Sequence, residues 1–260
     1  MTIEFVELGG ERLELLRIAP ERRTPALVFL HEGLGSVAGW RGFPRALCDR
    51  LDAPGLVYSR RGYGRSTPLG AARASDYLHR EAWDVLPALL SHCDIARPVL
   101  VGHSDGGSIA LLYAARFDPC AIAIMAPHVF VEDVTIAGIV QARAAWEQGR
   151  LKEPLGRVHD DPDGAFFGWN DGWLNPDFRQ WNIEAELPKI RCPVLAIQGY
   201  DDQYGTMEQL DRIARGVPHA TLLKLENCGH SPQRDQAEAV IEAISRLAER
   251  ACPGSTEPRK

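Results

Sequence analysis

Gly102-His103-Ser104-Asp105-Gly106 decides the fold of this chain, because it sets a serine between two glycines at a predicted strand-to-helix junction. Pro98-Val99-Leu100-Val101, just before it, is typical of a short buried strand, and residues 108–117 are typical of a helix. A serine on so sharp a turn adopts strained backbone geometry, and side chains on its neighbours would clash there, which explains the flanking glycines. The stretch therefore predicts a nucleophile elbow that exposes the Ser104 hydroxyl above a sheet edge.

Composition and charge exclude several broad classes of protein. The 260 residues are 45% hydrophobic, which is enough for one α/β domain with a full core, and the net charge is −6. Phosphate binding needs clustered Lys and Arg, and this chain has only pairs such as Arg22-Arg23 and Arg60-Arg61. We expect these pairs to be solvated strand and loop ends, and we expect no nucleic-acid partner.

The start of the chain and its cysteines predict a cytoplasmic protein. Met1-Thr2-Ile3-Glu4 lacks the charged and apolar segments of a secretory signal, and no stretch approaches the roughly 18 apolar residues of a membrane span. We therefore expect no membrane partner. No two cysteines form a C-x-x-C pair, so all six are expected to be reduced thiols. They are Cys48, Cys93, Cys120, Cys192, Cys228 and Cys252.

Strand-like and helix-like segments alternate along nearly the whole chain. Residues 3–8 and 12–18, joined through Gly9-Gly10, predict an antiparallel hairpin at a sheet edge. Buried strands are predicted at 26–30, 56–59, 99–101, 121–125, 194–197 and 221–225, and helices at 40–51, 76–90, 108–117, 207–215 and 237–250. This order predicts an α/β fold with a mostly parallel central sheet and helices on both faces.

One segment breaks the alternation. The roughly sixty residues between Pro127 and Pro188 contain helical pieces but no convincing core strand, and such a length is unusual for an ordinary connection. We therefore predict an α/β core made of residues 1–127 and 189–252, with residues 128–188 forming an inserted helical cap. The polar residues 253–260 are predicted to be a disordered tail.

A serine nucleophile needs a base within hydrogen-bond reach, and the base needs an orienting acid. His230 has the best context, because it follows the predicted strand 221–225 and precedes the last helix, whereas His79, His92 and His159 are expected at the surface. The strand before it ends in Tyr200-Asp201-Asp202, so one of these two carboxylates is the candidate acid. The chain order Ser, Asp, His is one of three known for this geometry.

These residues give the chain a resemblance to the α/β-hydrolase family, in its serine-nucleophile branch with a helical cap. Gly229-His230 matches the family's late Gly-His pair, and Arg61-Gly62-Tyr63-Gly64-Arg65-Ser66 is similar to the loop that usually reads D-x-R-G-x-G-x-S. In that family the acid lies three residues after the glycine that ends its strand. The resemblance therefore implies Asp202 as the acid and the α/β-hydrolase fold for the whole chain.

The predicted oxyanion hole departs from the family pattern at two positions. One backbone N–H is expected from Asp105 and the other from Gly33, with Leu34 as an alternative. Glu32 replaces the usual glycine, and we expect it to bond loop amides rather than to face the pocket and select substrate. A carboxylate at Asp105 disfavours an oxyanion unless it turns away, so we expect it to cap the helix. The resemblance implies that His31 braces this loop.

The predicted cap is rich in aromatic residues, which indicates an apolar or aromatic substrate pocket. They are Trp146, Phe166, Phe167, Trp169, Trp173, Phe178 and Trp181. The residues predicted to bind the substrate are Trp146, Trp169 and Trp173, together with Leu34 and His128.

The sequence thus predicts a serine hydrolase that cleaves a small, apolar or aromatic carboxylic ester, lactone or thioester, with Ser104, His230 and Asp202 as catalytic residues. One alternative is a hydrolase of C–C bonds in vinylogous diketones, whose members often read N-S-M-G-G at the elbow, unlike this chain. Another is a non-catalytic receptor on the same fold. No H-E-x-x-H or G-x-G-x-x-G pattern points to a metal or cofactor, and none is expected. We expect a small-molecule substrate and a monomer or homodimer.

Overall fold

An eight-stranded sheet forms the centre of the computed structural model, which describes residues 2–22 and 25–252. The strands are β1 Thr2–Leu8, β2 Glu11–Ile18, β3 Leu27–Leu30, β4 Gly55–Tyr58, β5 Val99–His103, β6 Ala121–Met125, β7 Val194–Gly199 and β8 Thr221–Leu225. Their order is β1-β2-β4-β3-β5-β6-β7-β8. The pairs β1–β2 and β2–β4 are antiparallel and all others are parallel, which confirms the predicted mostly parallel sheet.

The hairpin at the outer edge of the sheet follows from its two glycines. Gly9 and Gly10 have φ angles of 60° and 83°, which glycine adopts without steric cost. Two such residues make a turn whose twist matches that of the flanking strands. Leu8 accordingly pairs with Glu11 directly across the turn, and the register continues to Thr2 and Arg17.

Helices cover both faces of the sheet. They are α1 Phe43–Leu51, α2 Tyr77–Arg80, α3 Leu86–His92, α4 Asp105–Arg116, α5 Asp133–Glu147, α6 Lys152–Gly156, α7 Pro162–Leu174, α8 Glu208–Gly216, α9 Pro232–Asp235 and α10 Ala237–Ala251. A π-helical turn, Glu81–Val85, joins α2 to α3. Leu100 of β5 packs in the apolar layer under α3, α4 and α8, whereas Val99 and Val101 pack in the layer under α1 and α10. Both faces of the central strands are therefore buried, as their continuous apolar runs predict.

The segment between β6 and β7, residues 128–188, adds helices above the carboxyl edge of the sheet. It holds α5, α6, α7, the 3-10 turn Pro176–Gln180 and all but the last residue of a second, Glu184–Lys189. Its β pairing among the described residues is a single bridge between Phe130 and Asn182. We call it the cap segment.

The expectation that all six cysteines are reduced thiols is wrong for two of them. Cys120, just before β6, and Cys252, just after α10, form a disulfide between Cα atoms 6.3 Å apart. Their separation of 132 residues leaves no local pattern in the sequence. Cys48, Cys93, Cys192 and Cys228 are free and buried.

Two sequence predictions fall partly or wholly outside the described residues. Arg22 bonds Asp49 at 3.1 Å, but its neighbour Arg23 is not described. The predicted tail, residues 253–260, also lies outside the described part. Within residues 2–22 and 25–252, the structure contains no helix with the length and apolar character needed to cross a bilayer.

Candidate active site

Ser104 lies at the junction of β5 and α4 in a conformation that is rare for a residue with a side chain, with φ 52° and ψ −116°. Close packing explains the glycines around it. A Cβ at Gly102 would overlap the backbone of Gly106, and a Cβ at Gly106 would overlap the backbone of Leu30. α4 begins at Asp105 rather than at the predicted residue 108, because the elbow leads directly into the helix.

The turns after β7 and β8 are packed against each other, and this brings His230 to the elbow. Gly199 ends β7, and a Cβ there would overlap the carbonyl of Cys228. The Asp201 N–H donates to that carbonyl at 3.0 Å, and the Gly229 N–H donates to the Asp235 carboxylate at 2.8 Å. Since the carboxyl ends of parallel strands share one sheet edge, both turns reach Ser104.

A continuous hydrogen-bonded chain joins Ser104, His230 and Asp202. The Ser104 Oγ lies 2.9 Å from His230 Nε2, and His230 Nδ1 lies 2.8 and 2.9 Å from the two Asp202 oxygens. Burial raises the pKa of Asp202, but the hydrogen bond and charge of His230 and the N–H of Tyr204 outweigh burial and lower it. Asp201 is exposed, so the structure brings Asp202 to His230 and leaves Asp201 in solvent.

His103, the second residue of the elbow, connects β5 to the loop that carries His230. Its Nε2 donates to the carbonyl oxygen of His230 at 2.6 Å, and its Nδ1 lies 3.0 Å from the Gln233 side-chain nitrogen. The side chain is 1% exposed. The elbow motif leaves this position open, so the sequence carried no signal for the role.

The loop after β3 fixes the direction of the Gly33 backbone N–H. The carbonyl oxygen of Glu32 accepts from Arg60 Nη2 at 2.9 Å and from the Gly35 N–H at 3.1 Å. Because a trans peptide points its C=O and N–H in opposite directions, the Gly33 N–H is directed away from Arg60. The amide of Asp105 belongs to the first turn of α4, where N–H groups lack acceptors within the helix.

His31 and Arg60 support this loop from beneath. His31 Nδ1 donates to the Glu32 carbonyl at 2.7 Å, and Nε2 accepts from the Arg60 backbone N–H at 3.0 Å. Burial and the Arg60 charge lower the pKa of His31 well below its usual value, which keeps the imidazole neutral. The expectation that Arg60 is solvated is wrong, because the side chain is 1% exposed and lies against the carboxylate of Asp105.

The expectation that the Asp105 side chain caps α4 is also wrong. The carboxylate accepts from Tyr77 Oη at 2.9 Å and Trp173 Nε1 at 3.3 Å rather than from N–H groups of α4. Both Nη atoms of Arg60 lie 3.5 Å from it. Burial works against the Arg60 charge, but Asp105 raises the pKa of Arg60 above its usual value. A buried cation is a stronger partner than the partial charge of a helix end.

A cavity of about 110 Å³ opens beside the Ser104 hydroxyl, between the sheet edge and the cap segment. It is lined by Glu32, Gly33, Leu34, Ser104, His128, Thr135, Ile139, Trp169, Trp173, Tyr204 and His230. Four of the five residues predicted to bind substrate therefore lie at the cavity. Trp146 does not, because it stacks on Phe166 with ring centroids 4.3 Å apart inside the cap segment.

Three lining residues were missed by sequence reasoning. Thr135 and Ile139 lie on α5, and Tyr204 places its ring 4.8 Å from that of His230. Tyr204 follows Asp202 by two residues, and this spacing is the one signal that could have found it. Throughout the described part of the chain, no three His, Cys, Asp or Glu side chains converge as metal ligands do.

Glu32 is among the residues that line the cavity, and its carboxylate contacts side chains as well as its own backbone N–H. Its carboxylate lies 3.5 Å from His103 Nδ1 and 3.7 Å from Arg234 Nη2, with 21% of the side chain exposed. Burial raises the pKa of Glu32, but the hydrogen bond and charge of His103 outweigh burial and lower it well below its usual value. Glu32 is therefore an ionised group at the cavity wall.

His159 joins the cap segment to two loops of the core. Its Nδ1 accepts from the Gly64 N–H at 2.9 Å, and its Nε2 donates to the Leu34 carbonyl at 3.0 Å. The expectation that His159 lies at the surface is wrong, because the residue is 4% exposed. His79 is half-buried, and only His92 of the three is exposed.

The alpha/beta hydrolase family profile matches residues 27–243. The chain belongs to the α/β-hydrolase family. The bifunctional esterase/perhydrolase DCH of Acinetobacter calcoaceticus is 26% identical over 218 residues, which cover 71% of this hydrolase and 78% of the relative. The uncharacterized hydrolase YugF of Bacillus subtilis is 25% identical over 252 residues, which cover 87% and 90% of the two chains.

Solved structures show the same fold. The enol-lactonase from Burkholderia xenovorans LB400 superposes with a TM-score of 0.73 at 20% identity, covering 94% of this α/β hydrolase and 99% of the lactonase. The proline iminopeptidase of Mycobacterium smegmatis superposes with a TM-score of 0.78 at 18% identity, covering 96% and 98%. At such identities the likeness concerns the fold alone.

Proposed function

We propose that this α/β hydrolase cleaves a small carboxylic ester through an acyl-enzyme, with Ser104 as nucleophile, His230 as general base and acid, and Asp202 as the orienting acid. The observation that carries the proposal is the unbroken chain of contacts from Ser104 Oγ through His230 to Asp202, at 2.9 and 2.8 Å. Hydrogen-bond reach between nucleophile and base, with a third group holding the base, is the general signature of an activated serine.

In the acylation step, His230 Nε2 takes the proton of Ser104 as Oγ forms a bond to the ester carbon. The carbonyl oxygen becomes an oxyanion, which the backbone N–H groups of Gly33 and Asp105 stabilise. Collapse of this intermediate breaks the bond to the alcohol oxygen, and the alcohol leaves with the proton that His230 carries. Asp202 stabilises the imidazolium and holds Nδ1 as the protonated nitrogen.

In the deacylation step, a water molecule takes the place of the alcohol. His230 removes one proton from it as its oxygen attacks the acyl carbon, and the second tetrahedral intermediate expels Ser104. The proton returns to Oγ, so the enzyme is regenerated and the net reaction adds one water across the ester bond. The protein groups that the proposed steps use are the three side chains and the two amides.

The cavity supports a small substrate with an apolar body. Its volume is about 110 Å³, and Leu34, Ile139, Trp169 and Trp173 provide apolar walls. Burying apolar substrate surface against such walls favours binding. The relative named an esterase/perhydrolase agrees with an ester as substrate.

The first test is labelling with a fluorophosphonate probe, read by intact mass. We expect one adduct on the wild type, none on Ser104→Ala, and an unchanged adduct on Ser91→Ala, which alters an exposed serine. Turnover of aryl esters of graded acyl length should fall by roughly 10⁶-fold in Ser104→Ala and in His230→Ala. A folded wild type that neither labels nor turns over any ester would refute the proposal and favour a receptor.

A further inference from the structure

His128 is a buried imidazole at the cavity without a partner of its own. The residue is 2% exposed and lines the cavity with Ser104 and His230. Neither ring nitrogen hydrogen-bonds to any residue in the described ranges, and Nδ1 is fully enclosed. Buried polar side chains nearly always have a partner. Because Nδ1 is enclosed, Nε2 is the ring nitrogen that can meet a molecule bound in the cavity.

The backbone around His128 holds the ring in place. Ser108 Oγ donates to the His128 carbonyl at 2.7 Å and accepts from its N–H at 3.2 Å. The ring packs edge-on against Trp173, with centroids 5.1 Å apart. A side chain held by its backbone and by this contact is suited to recognise a ligand at a defined position.

The environment keeps this imidazole neutral while His230 exchanges protons. Burial and the neighbouring charge of His230 lower the pKa of His128 to about 4, against weaker opposing effects of Asp202, Asp105 and Glu132. In a neutral imidazole one nitrogen carries the N–H and the other is an acceptor. Nε2 can therefore donate to a keto oxygen or accept from a hydroxyl, according to the tautomer, but it offers no charge to a carboxylate.

Glu32 bears on whether the substrate can carry a negatively charged group in this cavity. Its charge is already paired with His103 and Arg234, at 3.5 and 3.7 Å, and no Lys or Arg is among the described residues that line the cavity, so the cavity offers no free cation to hold a negatively charged group of the substrate. The remaining walls are mostly apolar. The polar group that fits this cavity is thus a neutral oxygen.

We propose that His128 is a specificity-determining residue that hydrogen-bonds a neutral hydroxyl or keto oxygen borne by the substrate close to its scissile carbonyl. The His128 and His230 rings lie 5.9 Å apart, so the partner oxygen belongs to a substituent on the first or second carbon from the ester group. This inference rests on the proposed ester hydrolysis and narrows its substrate class to hydroxyacyl or oxoacyl esters and to esters of short diols.

The test compares kcat/KM within matched ester pairs. The acyl series is 4-nitrophenyl butanoate against its 2-hydroxy, 3-hydroxy and 3-oxo derivatives, and the alcohol series is ethyl butanoate against the butanoate of ethane-1,2-diol. We expect the wild type to favour at least one oxygen-bearing ester by about tenfold, as for one well-placed buried hydrogen bond. His128→Leu should bring that ratio close to one, and His128→Asn, which retains a donor and an acceptor, should restore part of it.

The controls separate this inference from the proposed function. Fluorophosphonate labelling of Ser104 reports the proposed function alone, and it is measured on every variant. His92→Leu, at an exposed histidine, should keep the wild-type ratio. A wild type that labels but prefers no oxygen-bearing ester overturns the role of His128, as does an unchanged ratio in His128→Leu. Since the wild-type series alone can overturn it, the test survives a variant that fails to fold.

Discussion

Removing the charge of Asp105 should destabilise the protein strongly, because it leaves the Arg60 guanidinium buried without its counter-ion. Both side chains are 1% exposed. Loss of one partner from a buried ion pair costs about 3–5 kcal/mol. Arg60 keeps its bond to the Glu32 carbonyl, and the amide of Asp105→Asn can still accept from Tyr77, so we expect the lower end, about 3 kcal/mol. At this chain length that corresponds to a fall of about 6–12 °C in the melting temperature.

The assay is urea unfolding followed by tryptophan fluorescence, in a double-mutant cycle with Arg60→Gln. Each single variant leaves one unpaired buried charge, whereas the double variant leaves none. The double variant should therefore lose about 2 kcal/mol less free energy of unfolding than the two single variants lose together. The matched control is Arg80→Gln, which breaks an exposed pair with Asp76 and should cost less than about 0.5 kcal/mol. A cost under about 1 kcal/mol for Asp105→Asn, or additive single effects, would refute a charged buried pair.

Three further predictions concern the acid of the site, the buried histidines and the disulfide. Asp202→Asn should lower kcat on an aryl ester by roughly 10⁴-fold and Asp201→Asn by less than about threefold; the reverse order would reject Asp202 as the acid. The pKa of His128 is lowered to about 4 from 6.5, so between these pH values the unfolded chain binds a proton that the folded protein does not. The free energy of unfolding should therefore be highest above pH 6.5 and fall by up to about 3 kcal/mol toward pH 4. His128→Leu should lessen that fall in urea titrations at pH 7 and 4.5, and an equal fall in both proteins would contradict it. The Cys120–Cys252 disulfide joins residues 132 positions apart, and its reduction should lower the free energy of unfolding by up to about 5 kcal/mol. An unchanged urea midpoint in Cys120→Ser would count against the bond.

Local chemistry is what made the site predictable from the sequence. Gly102 and Gly106 are required by backbone overlaps within a few residues of Ser104 or with the neighbouring strand, so the elbow is visible in five letters. Gly199 is likewise required by a close contact with the backbone just before His230, and Asp202 follows it by three residues. Parallel strands then bring these turns to one edge without further information from the sequence.

The features that were missed depend on partners distant in the chain. Arg60 looks like a solvated charge because its counter-ion, Asp105, lies 45 residues away. The disulfide joins cysteines with no shared motif, and His159 reaches Leu34 across 125 residues. Charge and spacing patterns describe a residue's sequence neighbours, whereas burial of a polar group is decided by the partner that the fold supplies.

In the proposed mechanism, Arg60 also explains how an acid can follow Ser104 without weakening the oxyanion hole. A lone carboxylate at Asp105 would oppose the negative charge that develops in the transition state. Here the same guanidinium lies 3.5 Å from Asp105 and bonds the Glu32 carbonyl at 2.9 Å. It thereby balances the charge on one side of the proposed hole and, through the planar peptide, directs the Gly33 N–H on the other. Asp105 and Arg60 thus form one arrangement, because burying either charge without the other would be unfavourable.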